Sequence, residues 1–190
     1  GKKVTESFIS NTRNYIQNKY KKDGYLNAKV TIATAIDTSD TNAESMVVNI
    51  KTGDKVKIKN ITIDGNKMLS DKQLRKSLKN TKKQQFGRVW KKSKYIEADY
   101  QEDLAAMVDK YAEKGYRDAR VLTDSITIVN DKKINIDIKV EEGNKYYFGD
   151  INFIGNSVYT DGQLNKVLGI KKGDTYNGVL LRERIADDTK

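Results

Sequence analysis

The sequence predicts an α+β protein assembled in tandem from a β-α-α-β-β unit, each unit a three-stranded sheet with two helices on one face. Three observations predict it. The 190-residue chain repeats itself: Ile61-Thr62-Ile63-Asp64-Gly65-Asn66 recurs as Ile151-Asn152-Phe153-Ile154-Gly155-Asn156, an offset of 90. Tyr20-Lys21-Lys22-Asp23-Gly24-Tyr25 pairs with Tyr111-Ala112-Glu113-Lys114-Gly115-Tyr116 at an offset of 91. Within each copy the apolar pattern switches from a period of two to a helical period and back.

The repeat divides the chain. Residues 1–53 hold the second helix and last two strands of one unit, 54–143 a complete unit, and 144–190 the first strand and helices of a third. A half-unit shorter than about 50 residues should not fold stably alone, because too little surface is buried.

The first strand of the complete unit spans about 56–64. Val56 and Ile58 share one parity and Ile61 and Ile63 the other, as do Tyr146 and Phe148 against Ile151 and Phe153. Either a bulge sits near Lys59-Asn60 and Gly149-Asp150, or the strand begins after the shift. Gly65-Asn66 then closes it in a left-handed turn. Ser70 is an N-cap for a helix over 71–80 with Leu74 and Leu78 at i, i+4, and Thr160 repeats that role ahead of Leu164 and Leu168. A second helix over 96–114 carries Ile96, Tyr100, Leu104, Met107, Val108 and Tyr111 on one stripe, stopped by Gly115. In the first partial unit Phe8 or Ile9, Ile16 and Tyr20 form the matching stripe, stopped by Gly24.

A hairpin completes the unit. Ala119 and Val121 alternate with polar residues, as do Ile126 and Ile128 after a parity change at Asp124-Ser125. Asn130-Asp131 turns the chain, and Ile134, Ile136, Ile138 and Val140 alternate cleanly, which marks a strand with one dry face. The first unit has Ala28, Val30, Ile32 and Ile36, a Ser39–Asn42 turn, then Val48 and Ile50.

Composition narrows the chemistry. There are 36 Lys and Arg against 26 Asp and Glu, a net charge of +10, and no His, Cys or Pro. Imidazole or thiolate metal sites, a Cys nucleophile, a Ser-His-Asp triad and disulfides are therefore excluded. No stretch approaches the roughly 18 apolar residues of a membrane span. Gly1-Lys2-Lys3-Val4-Thr5-Glu6 leads into polar sequence without signal-peptide character, so the expectation is a soluble piece, one that could be cut from something longer. Asp37, Asp40 and Glu44, and Asp187 with Asp188, are close in sequence. The first group falls in a predicted turn, where acids are ordinary, and no enzyme activity or cofactor is expected.

The pattern resembles the POTRA (polypeptide-transport-associated) domain, and in particular the tandem POTRA region of the BamA family of outer-membrane assembly factors. The residues that carry the resemblance are Gly65-Asn66 and Gly155-Asn156 after the first strand, and Gly24-Tyr25 and Gly115-Tyr116 before the second. Val140-Glu141-Glu142-Gly143 at the exit of the third strand and Lys172-Gly173-Asp174-Thr175-Tyr176 ahead of a second helix complete the set. Asn80 to Tyr95 departs from it, being longer than a typical inter-helix loop. The resemblance implies units with a three-stranded mixed sheet. It also implies a non-enzymatic periplasmic arm, attached to a C-terminal β-barrel in the outer membrane of a Gram-negative bacterium, that receives unfolded outer-membrane proteins and docks accessory lipoproteins. A POTRA arm of a dedicated secretion or translocation pore would look the same in sequence.

Two surfaces are candidate sites. By resemblance, the second strand, about Tyr116–Val129, lies at a sheet edge, so a client could add to it through Arg117, Ala119, Val121, Thr123, Ile126 and Ile128. Five hydrogen bonds worth about 0.5–1.5 kcal/mol each match only the lower end of an association cost on the order of 4–15 kcal/mol, so binding would be weak and releasable. The alternative is an edge left solvated or covered by the next unit. The second surface is a basic stretch with interleaved aromatics: Lys82, Lys83, Phe86, Arg88, Trp90, Lys91, Lys92 and Lys94, with no acid among them. It suits anionic lipid or a partner surface, or a solvated loop whose aromatics cap the neighbouring helices. Single-stranded nucleic acid is the reading from another class, disfavoured because the remaining charges are mixed along the chain.

Overall fold

The computed structural model describes residues 5–36, 44–84 and 93–186. There the chain runs α1 (Glu6–Lys22), β1 (Lys29–Ile36), β2 (Glu44–Lys51), β3 (Lys57–Asp64), α2 (Asp71–Ser77), α3 (Glu97–Ala112), β4 (Arg120–Asn130), β5 (Lys133–Glu141), α4 (Asp161–Leu168) and α5 (Gly178–Ala186). The order reproduces the predicted α+β repeat except for the first strand of the third unit. β1 and β2 pair antiparallel from Lys29↔Lys51 to Ile36↔Glu44, and β3, β5 and β4 form a mixed three-stranded sheet with β5 in the middle. The Ser39–Asn42 turn, Asp37, Asp40, Asp187 and Asp188 lie outside the described residues, and Glu44 is exposed at the start of β2.

Packing divides into two compact units. One gathers Gly1–Ile61, Asn80–Gln101 and Ile126–Ile136, the other Thr62–Lys79, Glu102–Ser125 and Asp137–Lys190. Each holds one junction between successive repeats.

In the first unit Thr5 caps α1, its Oγ1 accepting from Phe8 N at 3.2 Å, and Lys19, Lys21 and Lys22 sit in the last turn, where the helix dipole favours cations. No residue of α1 is fully buried. Among the described residues of the β1–β2 hairpin Val30 alone is buried, which leaves Ile36, Met46, Val47 and Ile50 exposed. Val56 and Ile58 are buried, and Tyr95 N donates to Val56 O at 3.1 Å while Ile58 N donates to Ser93 O at 2.8 Å.

In the second unit Ser70 and Thr160 each close a full capping box, with Gln73 and Gln163. α2 stops at Ser77, three residues short of the predicted end, with Leu78 already non-helical yet fully buried. Ser70→Ala is expected to lose about 1 kcal/mol, read as a lower urea midpoint at unchanged slope. β3 runs unbroken through the parity shift: Ile58, Ile61 and Ile63 are buried and the adjacent Lys59 and Asn60 both exposed, as a bulge inside a continuous strand requires. Ile134, Ile136, Ile138 and Val140 of β5 are at most 4 % exposed, the predicted dry face.

The third repeat departs from the expected strand over 146–154. Tyr147 makes an isolated bridge with Thr175, and no strand forms over 151–154. A strand exists through its ladder, and no described strand lies beside this segment to supply one. Ile154 is accordingly 96 % exposed, where its counterpart in the complete repeat, Asp64, ends a paired strand.

Candidate functional site

β4 has a single neighbour, β5, so the N–H and C=O groups along its other margin have no strand partner among the described residues. The turn that joins it to β5 is tight: Asp131 and Lys132 connect the two strands, and Lys132 N donates to Asn130 Oδ1 at 3.0 Å. At the other end Arg120, on β4, donates from Nε at 2.7 Å and Nη2 at 2.6 Å to the one oxygen Oε2 of Glu141, on β5.

The sequence candidates divide on this strand. Val121, Thr123, Ile126 and Ile128 lie on β4, Val121 half-buried and the other three exposed. Arg117 and Ala119 precede it. Ala119 is buried, and the Arg117 guanidinium lies 4.9 Å from the Tyr146 ring centroid, with Nε 3.3 Å from Asp118 Oδ1. Leu122 and Val129, which the alternating pattern did not single out, are also exposed. Alternation hid them, since it assigns half of a strand to an inner face. Every residue of β4 from Leu122 onward is exposed.

In the basic stretch Lys82 is half-buried, and Lys83 and Lys94 are exposed. Phe86, Arg88, Trp90, Lys91 and Lys92 lie outside the described residues. The base of the stretch is fixed by one residue: Gln84 N donates to Ile58 O at 2.7 Å, and Ile58 N donates to Ser93 O at 2.8 Å. In the third repeat Phe148 makes the same two bonds with the adjacent residues Gly173 and Asp174. Residues 85–92 are thus an insertion at one point of the repeat, which explains the excess length seen in the sequence.

One buried carboxylate organises the second unit. Glu142, at the exit of β5, is 8 % exposed. Its oxygens accept from Lys67 N at 3.0 Å, Met68 N at 2.9 and 3.0 Å, Leu69 N at 3.2 Å and the Tyr111 hydroxyl at 3.0 Å. Burial pushes its pKa up, but the amides of Met68, Leu69 and Lys67 and the Tyr111 hydroxyl together hold it below the ordinary carboxylate value. Tyr111 is pushed well above the usual phenol range, first by burial and then by its bond to Glu142.

The two junctions share one backbone design. Val56 N donates to Gly24 O at 3.0 Å, and Tyr146 N to Gly115 O at 2.9 Å. Edge-to-face pairs Tyr20–Tyr25 and Tyr111–Tyr116 stand beside them, at 6.0 and 6.1 Å. In the second junction the Tyr146 hydroxyl also donates to Asp118 Oδ2 at 2.5 Å, which keeps that carboxyl below its ordinary range. Among the described residues no acidic cluster is arranged to hold a metal ion, and no helix is long and apolar enough to cross a membrane.

The family model described as POTRA, surface antigen variable number repeat, matches residues 56–143 and 146–189. Over 167 residues, 85% of this chain, the sequence is 27% identical to an outer membrane protein assembly factor BamA from Neisseria meningitidis. Over 175 residues, 88% of the chain, it is 26% identical to a putative outer membrane protein assembly factor from Treponema pallidum. The chain spans about a fifth of the length of these relatives, 20% of each. A crystal structure of Haemophilus influenzae BamA POTRA3-5 has the same fold, with a TM-score of 0.55, 19% identity, and coverage of 100% of this chain and 72% of that one.

Proposed function

The chain belongs to the POTRA family, and from that premise we propose that it is a non-enzymatic periplasmic arm of an outer-membrane assembly factor, which binds unfolded outer-membrane proteins by β-augmentation on β4 and docks accessory lipoproteins. The parent protein carries a C-terminal β-barrel in the outer membrane. The arm is organised as a partial unit over 1–53, a complete unit over 54–143 and a second partial unit over 144–190; the two matched segments, 56–143 and 146–189, support that division. The observation that carries the proposal is the open margin of β4, on which Leu122, Ile126, Ile128 and Val129 are 43, 36, 61 and 39 % exposed. A client strand patterned for a barrel alternates apolar and polar residues. On β4 it gains main-chain hydrogen bonds along the margin and partial cover for these side chains. The weakness of such pairing suits a client that must be passed on.

Successive residues of an edge strand point their N–H groups to opposite sides, so proline at Ile126 and proline at Thr127 separate two effects. One variant removes an N–H from the free margin; it is expected to keep its fold and lose binding of a synthetic strand-like peptide in an NMR titration. The other removes a β4–β5 hydrogen bond and is expected to destabilise the chain. If the folded variant binds the peptide as the parent does, β4 is not the client strand.

A further inference from the structure

Away from the outer margin of β4, the first unit contains a cleft of about 610 Å³ whose charged lining is Lys55, Lys57, Lys94, Lys132 and Lys133, with Asp54 as its one acid. The lysines are brought together by backbone pairing of segments far apart in sequence. Lys57 N donates to Lys132 O at 2.8 Å, and Lys57 forms an antiparallel bridge with Lys94. The Asn27 side chain ties down the same turn by donating to Asp131 O at 2.5 Å. Lys55 lies 5.0 Å from the Tyr25 ring centroid. Lys57, Lys94, Lys132 and Lys133 make no ion pair among the described residues. A cleft whose charges are mostly of one sign focuses its field toward an anion.

We propose that this cleft binds a phosphate-bearing anion, presented as the headgroup of an anionic phospholipid. Two features fit a phosphate headgroup. Every cation in the cleft is lysine, which binds phosphate as a compact point charge from any side and does not impose the planar two-bond geometry of an arginine. The space also exceeds a single carboxylate and admits a phosphodiester with its headgroup. Lysines near an anionic bilayer add their attractions, and the interaction weakens with salt.

The test uses the 190-residue chain with vesicles of phosphatidylcholine, with and without phosphatidylglycerol. The chain is expected to sediment with the anionic vesicles alone. The triple variant K57Q/K132Q/K133Q is expected to bind them at least about tenfold more weakly, while K72Q/K166Q/K171Q, which removes the same charge from exposed positions elsewhere, binds as the parent does. Equal weakening by both variants, or binding to neutral vesicles, overturns the proposal. NMR titration of the unmodified chain needs no variant: amide shifts at Gly53, Lys57 and Lys132 with soluble short-chain phosphatidylglycerol support it. The same shifts at the same concentrations with hexaglutamate overturn the phosphate assignment. Saturation by inorganic pyrophosphate without vesicle binding assigns the cleft to a free phosphate and overturns the lipid source.

Discussion

Gly65→Ala is expected to destabilise the chain by roughly 3 kcal/mol or more, whereas the same change at its repeat partner, Gly155→Ala, should cost about 1 kcal/mol. Both glycines are left-handed, with φ +89° and +82°, so both substitutions carry the same backbone strain. They differ in what a methyl group would meet. At Gly65 a Cβ would lie 2.1 Å from the Val140 carbonyl oxygen and 3.2 Å from its carbon; at Gly155 nothing lies within 4 Å. The obstacle at Gly65 is backbone at the end of a central strand, which cannot rotate away as a side chain could. For a chain of this size the larger loss should lower Tm by roughly 6–12 °C. Equal costs for the two substitutions in urea unfolding would show that the close approach to Val140 is not what demands glycine.

Removing the Glu142 carboxylate should be comparably severe. Glu142→Ala leaves three amides and the Tyr111 hydroxyl without their acceptor in a buried place, an expected loss of roughly 3–5 kcal/mol. Glu142→Gln keeps one acceptor oxygen but turns an NH₂ toward donors, and about 2–3 kcal/mol is expected. The pH dependence follows from the same contacts. The folded-state pKa of Glu142 lies below its unfolded value, which is about 4.3. Its contribution is therefore complete above that unfolded value and is lost as pH falls through the folded one. Stability measured by urea unfolding should fall below pH about 4, and more shallowly in Glu142→Gln than in the parent. Identical acid profiles would remove Glu142 as the source. Amide exchange at Lys67, Met68 and Leu69 should quicken selectively in Glu142→Gln, which a general loss of stability would not produce.

The positions of these two effects were partly written in the sequence. Gly65-Asn66 announced a left-handed turn, and its recurrence at Gly155-Asn156 marked the repeat. Glu142 continues the parity of Ile134, Ile136, Ile138 and Val140, so alternation alone carries a carboxylate onto the dry face of β5. That signal stood unread, since alternation says where a side chain points and not what waits there. The amides of Lys67, Met68 and Leu69 stand more than seventy positions earlier in the chain. Likewise the caps at Ser70 and Thr160 were legible because a capping box closes within four residues. The lysine cleft was not, because Lys57, Lys94 and Lys132 meet through strand pairing. The candidates on β4 were half legible. Parity gave Ile126 and Ile128 and passed over Leu122 and Val129, which an outer strand leaves uncovered.

By itself the sequence determined the ninety-residue period, the kind and order of the elements apart from the third unit's first strand, the helix caps and turns, and the inward face of β5. All of these rest on interactions that close within a few residues or on a periodicity that one strand or helix displays alone. Only the tertiary structure decided that β4 has one neighbour, that the third repeat's 151–154 segment has none, that packing gathers around the junctions, and that Glu142 holds the loop after β3. Each of these depends on which distant segment supplies the matching hydrogen-bond partner, and the geometry of closing long loops is not encoded in any local window.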